Sequence, residues 1–431
     1  MQIYYLILLF FMVFMLISYK KALFCWSIFS LAMHIGVCLR FAPPAVSLLF
    51  AVNISFLFLA FLKGKCNSKF IYKRYLVLYI LSAMITVSQF LENSQTEIVG
   101  TANVVINTFA IIYLLEKEIR SINDVTMICR ILYVFIGVSV FYGIFVVITA
   151  YNPIIDYELS LIPPGMENKL VSSTETLRGV KAQSYFAGAT QFATFVFLTS
   201  VIFLSANCKG TSNNSFLKVF VLFLAISICF LSKTRASIFA GMLAILYFMY
   251  KQKSVNTIRL LIIILLLSPV IVSLLGDNMS FITSIYDQKA QDEVGGSSAE
   301  MRAVQLGAVI QVASISPLFG IGITGFSNLS ASVMDDILGA ESVWFQLAIT
   351  RGLVGILIYG YLFYFSVKSV SKNMRIYVIT SSLFWLTLHT LSTTGLSEYF
   401  YMFTFIIIKK LDNIKYKINE KDSSNNLPCI R

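Results

Sequence analysis

The sequence has little charge and almost no histidine. Charged residues make up 13% of its 431 positions, hydrophobic residues make up 58%, and there are two histidines, His34 and His389. A soluble domain of this length could not cover so much apolar surface. Two histidines, both within apolar runs, are too few for a His-based zinc centre or a catalytic triad, and both read as interior polar contacts. The seven cysteines are Cys25, Cys38, Cys66, Cys129, Cys208, Cys229 and Cys429. They form no CxxC pair, and none falls in the two long polar segments that a disulfide framework would staple. The apolar runs lack strand-like alternation, which excludes a β-barrel. Internal repeats and low-complexity tracts are missing too. The first apolar run has no basic residues ahead of it, and Lys20 and Lys21 follow it, so it reads as a span and not as a signal peptide.

What is present is a succession of apolar stretches, most of roughly 17 to 23 residues, long enough to cross the hydrocarbon core as helices. They lie at 3–19, 22–39, 45–62, 75–91, 98–115, 127–150, 185–206, 216–232, 236–250, 258–275, 343–366, 376–391 and 397–408. The expected fold is all-α: one polytopic transmembrane helical bundle over 1–431, with about 12–13 spans.

The net charge of +12 is divided along the chain. Lys20–Lys21 and segments 63–74, 116–126, 207–218, 251–259, 367–375 and 409–431 hold most of the Lys and Arg but few of the Asp and Glu. The positive-inside rule makes that side cytoplasmic, including the polar tail 411–431. The excess charge therefore faces anionic membrane lipids and is not a nucleic-acid footprint.

Two connectors are long, 151–184 and 276–342, and both are expected to face outward as periplasmic loops. In the second, Ser297-Ser298-Ala299-Glu300 reads as a capping box. Apolar positions Met301, Val304, Ala308, Val309, Val312 and Ile315 follow, so an amphipathic helix is expected over about 298–315, ended by Pro317.

The same loop holds eight acidic residues and two basic ones, Lys289 and Arg302. Outward arginines are few: Arg40, Arg178, Arg235, Arg302 and Arg351. Arg178 precedes the seventh span, Arg235 sits in the tight turn Ser232-Lys233-Thr234-Arg235, and Arg302 lies in the first turn of the loop helix, where the helix dipole disfavours a cation. Three guanidiniums meeting at one interface would bind a polyanion such as a lipid pyrophosphate. Headgroup contact or loop salt bridges are the alternative. Lys181, Tyr185 and Lys233 are weaker neighbours. Glu341 stands just before the eleventh span, where partial desolvation would suit a general base and an N-terminal helix position would suit simple dipole stabilisation. Gly320-Ile321-Gly322-Ile323-Thr324-Gly325 matches GxGxxG, but no strand-turn-helix unit surrounds it, so it reads as a turn. Asp335-Asp336 and Asp156-x-Glu158 read as solvated loop surface in preference to a metal site.

In order, the chain carries Arg178-Gly179, Ser232-Lys233-Thr234-Arg235, Glu300-Met301-Arg302, Ser316-Pro317-Leu318-Phe319-Gly320-Ile321-Gly322, Glu341-Ser342 with Phe345-Gln346-Leu347-Ala348, and Arg351-Gly352-Leu353-Val354-Gly355. This ordered set resembles the O-antigen polymerase and O-antigen ligase superfamily of bacterial envelope glycosyltransferases. The resemblance covers about 170–366 in motifs and the whole chain in topology. It implies an undecaprenyl-pyrophosphate-linked oligosaccharide as donor, arginines at the pyrophosphate, no metal, no cofactor and no nucleotide sugar. A chain-length regulator and a flippase would be partners. The ligase branch typically carries a histidine near the position of Glu341. Neither long loop here has one, which points to the polymerase branch (Wzy), with Glu341 as catalytic base and Arg178, Arg235 and Arg302 binding the pyrophosphate. The alternatives are an O-antigen ligase, a capsule polysaccharide polymerase and, as a non-enzyme, a lipid-linked oligosaccharide flippase.

Overall fold

The computed structural model describes residues 2–32, 38–39, 46–64, 70–89, 94–161, 180–206, 215–252, 299–323, 342–392 and 398–425. Helices dominate them. The first half contains α1 (Gln2–Ile17), α2 (Tyr19–Phe29), α3 (Leu48–Leu62), α4 (Lys73–Gln89), α5 (Ser94–Val104), α6 (Ile111–Glu118), α7 (Ile122–Thr149) and α8 (Pro153–Leu161). The second contains α9 (Ala189–Ala206), α10 (Ser215–Leu231), α11 (Arg235–Gln252), α12 (Ala299–Ala313), α13 (Val343–Lys368), α14 (Lys372–Leu391) and α15 (Tyr399–Asn425). The strand content among the described residues is one antiparallel pair, Cys38–Leu39 with Val46–Ser47. The chain is an all-α polytopic helical protein. Among the described residues, four helical stretches are long and apolar enough to cross a membrane: Glu97–Glu118, Ile122–Thr149, Ala189–Ala206 and Val343–Lys368.

The expected second span, 22–39, is not one helix. α1 breaks at Ser18 (φ −149°), and α2 covers 11 residues, about 16 Å at 1.5 Å per residue and well short of a roughly 30 Å core. Its last N–H groups shift to i−3 carbonyls, Leu31 to Ile28 and Ala32 to Phe29. The hydroxyls of Ser27 and Ser30 bond back to Phe24 and Ser27 carbonyls. Such local bonds tighten and end a helix. The expected span 98–115 is continuous but passes through a π-helical segment, Val105–Ala110, between α5 and α6. The expected span 258–275 lies outside the described residues.

α9 is the axis of the bundle. Residues Ala189 to Ser205 are buried almost without exception, as expected of a helix apolar all round. It packs against α7, α10, α11, α14 and α15, with Phe197 stacked on Phe384 at 4.0 Å. α7 turns one face outward, through Val134, Val138, Phe141, Phe145 and Ile148, which suits contact with lipid.

At the end of the bundle where α1 begins and α7 stops, α8 packs onto α1. Tyr4 Oη donates to Glu158 Oε1 at 2.9 Å. Glu158 is buried rather than solvated as expected, and its Oε2 has no partner among the described residues. Burial pushes its carboxyl up to about 7, while the Tyr4 bond acts in the opposite direction. The folded value lies above the ordinary 4.5. The associated stability is therefore full below about pH 4.5 and is lost as the pH rises through 7, a difference on the order of 3 kcal/mol. Melting of the detergent-solubilised protein should fall between pH 5 and pH 8, and Glu158→Gln should flatten that slope. An unchanged slope in the variant would remove Glu158 as the cause.

Candidate functional site

The large-loop helix forms close to where the sequence puts it, as α12, but it stops at Ala313, ahead of Pro317. Gln305, Ala308, Val309 and Val312 make its buried stripe, at i, i+3, i+4 and i+7. That stripe packs on Ile321 and Ile349 beside Phe345 and Ala348 of α13. Val304 and Ile315, expected on the apolar face, are exposed.

After α12 the chain makes a strained turn. Gly320 (φ +69°) and Gly322 (φ +81°) both take conformations that L side chains rarely adopt. α13 is broken opposite them at Gly352 (φ 60°, ψ −158°). Three backbone bonds join the two irregular segments: Ile321 N to Ile349 O at 2.8 Å, Leu353 N to Pro317 O at 2.9 Å and Val354 N to Leu318 O at 3.0 Å. The polar groups freed by the helix break are thus satisfied by the turn, the condition for irregular backbone inside an apolar bundle.

Beneath this joint lies an ion pair that the sequence reading did not single out. Arg351 Nη2 contacts Glu97 Oε1, with side chains 6% and 4% exposed. Glu97 Oε2 accepts the Ile323 N–H at 3.0 Å, and the guanidinium lies over the Tyr79 ring at 5.7 Å. Glu97 therefore ties α5 to both the turn and α13. Ionisable residues within apolar helices are functional candidates by default, and that was the available signal: an arginine inside the run 343–366 and a glutamate at the edge of the run 98–115. Their pairing, 254 positions apart, carries no local signature.

The arginine and lysine candidates divide. Arg302 Nη2 donates to Leu391 O at 3.1 Å. It thus covers the C-terminus of α14, where the helix dipole favours a cation, which accounts for an arginine in a first turn. Arg235 opens α11, which packs along α14. Phe248 meets Tyr377 at 5.8 Å between ring centroids. Counting 13 residues along each antiparallel helix from that contact (248 − 13 and 377 + 13) brings Arg235 level with Thr390. Arg235 and Arg302 thus belong to the same end of α14. Arg178 and Glu341 lie outside the described residues.

Lys233 stands beside Arg235 with φ +49°, an uncommon value for a non-glycine residue. Burial lowers its ammonium below the ordinary lysine value, and among the described residues it has no side-chain partner. The turn around it is set by hydroxyls: Ser232 Oγ on the Cys229 carbonyl at 2.7 Å, and Thr234 Oγ1 donating to Ser237 Oγ at 2.7 Å. Ala182 N donates to Leu231 O at 2.9 Å, which sets Lys181 alongside the same turn. Tyr185 is engaged elsewhere: its hydroxyl meets Ser139 Oγ of α7. The N-terminus of α11 and the cations Lys181, Lys233 and Arg235 together suit an anion.

This arrangement defines the class: a polytopic membrane protein with a cationic turn and a broken helix at one end of its bundle. Residues 220–360 match the family model described as O-antigen ligase, which supports membership of the chain in the O-antigen polymerase and ligase superfamily. The matched segment contains the Lys233–Arg235 turn, α12, the glycine turn and the break at Gly352. No curated protein was found to match the chain.

Proposed function

We propose that the chain is an O-antigen polymerase of the bacterial inner membrane. It transfers the growing glycan from undecaprenyl pyrophosphate to the non-reducing end of a lipid-linked repeat unit, as an inverting glycosyltransferase that needs no metal. The observation that carries this reading is the half-buried cationic turn at Lys233 and Arg235, within the matched segment and at the Arg302 end of α14. A pyrophosphate leaving group develops negative charge, so its departure needs preorganised cations more than a proton. Arg178, Arg235 and Arg302 hold it, aided by Lys181 and Lys233. Glu341 takes the proton of the attacking sugar hydroxyl. The charge distribution along the chain supports a periplasmic position for this end. The absence of histidine from both long loops favours a polymerase. The printed description of the matched model favours the second reading, a ligase.

Deletion and complementation in the source strain, read by lipopolysaccharide gels, separates the two. Loss of a polymerase leaves core plus one repeat, and loss of a ligase leaves core alone. Arg235→Ala should abolish the ladder while the protein still accumulates in the membrane. Arg302→Lys keeps a cation at the Leu391 carbonyl but removes the planar fork, so it should keep the fold and lose the ladder. Full ladders from both variants would sink the pyrophosphate assignment. Glu341→Gln should slow turnover by at least about 10²-fold if the carboxylate is the base. A role in dipole stabilisation alone would cost at most about 1 kcal/mol of local stability.

A further inference from the structure

Among the described residues, three non-glycine positions hold left-handed backbone: Ala150 (φ +53°), Ser184 (φ +56°) and Lys233 (φ +49°). They fall in three separate segments, yet hydrogen bonds join those segments at one place. Ala150 caps the end of α7. Two residues later, Asn152 Nδ2 donates to the Ser184 carbonyl at 2.9 Å. Two residues before Ser184, the Ala182 N–H donates to the Leu231 carbonyl at 2.9 Å. Lys233 follows two residues after Leu231. A non-glycine residue keeps such a conformation only where its surroundings hold it, and residues of this kind gather at active sites and ligand clamps.

Asn152 is the hub of this joint, with 0% exposure. Partners with a single role fix the orientation of its amide. The Ile155 N–H can only donate, and it meets Oδ1 at 3.4 Å, while the Ser184 carbonyl can only accept, from Nδ2. Tyr142 Oη of α7 also donates to Oδ1, at 3.0 Å, and accepts the Ile154 N–H at 3.3 Å. Oδ1 thus caps α8, whose first residue is Pro153. Capping needs an acceptor alone, and aspartate or serine would supply one as well. The amide N–H serves another purpose: it reaches a carbonyl 32 positions away and closes the connector 151–184 at its base.

The returning segment is held on its other sides too. The Tyr185 hydroxyl meets Ser139 Oγ of α7. Phe186 packs on Phe192 and Phe195 of α9, at 5.5 Å and 5.2 Å between ring centroids. Lys181 stands one residue before Ala182, so the bonds at Ala182 and Ser184 set the path of its backbone past the Lys233 turn.

We infer that Asn152 is a positioning residue for the anion site: by clasping Ser184 it holds the segment 180–184 along the end of α10 and so keeps Lys181 beside Lys233 and Arg235. This rests on the reading of that turn as the pyrophosphate site. Asn152 acts through Lys181 and has no contact with the anion itself.

Two substitutions separate the clasp from the cap. Asn152→Asp keeps the size of the side chain and the acceptor that caps α8, and removes the donor. Asn152→Leu removes the donor without adding a charge. The full chain is placed in nanodiscs, and two quantities are measured: hydrogen–deuterium exchange of peptides covering Ala182, and the Kd for undecaprenyl pyrophosphate. In Asn152→Asp, exchange at Ala182 should quicken at least about tenfold while α9 keeps its protection. Lys181→Ala should weaken carrier-lipid binding at least about fivefold in the wild-type background and less than about twofold in Asn152→Asp, where the lysine is already displaced. Asn152→Leu should lose affinity as Asn152→Asp does, which assigns the loss to the missing donor and not to the added charge. Should Asn152→Leu fail to accumulate, the cycle of Asn152→Asp with Lys181→Ala decides alone. A residue that only caps α8 gives another pattern: Asn152→Asp binds the carrier lipid like the wild type, or Lys181→Ala weakens binding by the same factor in both backgrounds. Either result overturns the positioning role and leaves the pyrophosphate reading standing, as does unchanged exchange at Ala182. Wild-type protein that binds no undecaprenyl pyrophosphate overturns both.

Discussion

Gly352→Ala should destabilise the protein by more than about 4 kcal/mol, enough to remove it from the membrane fraction. The backbone there has φ 60° and ψ −158°, a region occupied essentially by glycine and costing any other residue about 1–3 kcal/mol. A steric term is added. A Cβ at 352 would lie 2.5 Å from the Leu318 carbonyl carbon and 2.7 Å from Phe319 N. Those are backbone atoms, and they cannot move without breaking the bonds of Pro317 and Leu318 to Leu353 and Val354. Gly320→Ala meets the same obstacle from the other side, with Arg351 N at 2.4 Å. Gly360, eight residues further along α13, has nothing within 4 Å of a built Cβ. Gly360→Ala is therefore the control and should be neutral or stabilising by up to about 1 kcal/mol. Membrane accumulation and thermal stability in detergent measure all three. A Gly352→Ala protein as stable as Gly360→Ala would mean that the break in α13 is not required.

Glu97→Gln should cost about 3–5 kcal/mol, because it leaves the Arg351 guanidinium buried without its counter-charge. Arg351→Met should cost a similar amount by stranding the carboxylate. The double variant Glu97→Gln, Arg351→Met should be more stable than either single variant, since both charges leave together while Gln can still accept from Ile323 N. Strictly additive losses would show that the two residues act separately. Activity should not recover with stability in the double variant if the pair also fixes the glycine turn. α12 rests on that turn at Ile321, and Arg302 projects from α12 onto α14. A double variant with both wild-type stability and wild-type turnover would reduce the pair to a packing device.

The helices were legible because their signal is local. α7, α9 and α14 follow from apolar runs bounded by charge. α12 follows from its stripe at i, i+3, i+4 and i+7, although Val304 and Ile315 turned out to face outward. The stretch 22–39 misled because hydropathy reports burial without reporting helix length. Local serine bonds ended α2 after 11 residues. Glu158 misled for a related reason: its polar neighbourhood in sequence says nothing of Tyr4, 154 positions away.

Some candidate residues were legible as types and others only as partners. Lys233 and Arg235 stand out in sequence because cations are scarce between apolar runs, and Arg302 because a first turn disfavours it. That Arg302 rests on the Leu391 carbonyl, and that Lys233 holds a left-handed backbone, belongs to geometry. His389 could be read only as an interior polar contact. That its Nδ1 meets Tyr359 Oη while its Nε2 stays buried without a partner among the described residues belongs to packing.

The sequence by itself determined the class of the protein: all-α and polytopic, with its sparse charges gathered between apolar runs. Hydrophobic transfer and backbone satisfaction act residue by residue within each helix, so composition and period suffice for them. Only the tertiary structure decided that Gly320 and Gly352 face each other, that Glu97 neutralises Arg351 and that Arg302 covers the end of α14. Those outcomes depend on contacts between segments distant in the chain, where a buried charge or a freed carbonyl takes whichever partner the packing brings within about 3 Å.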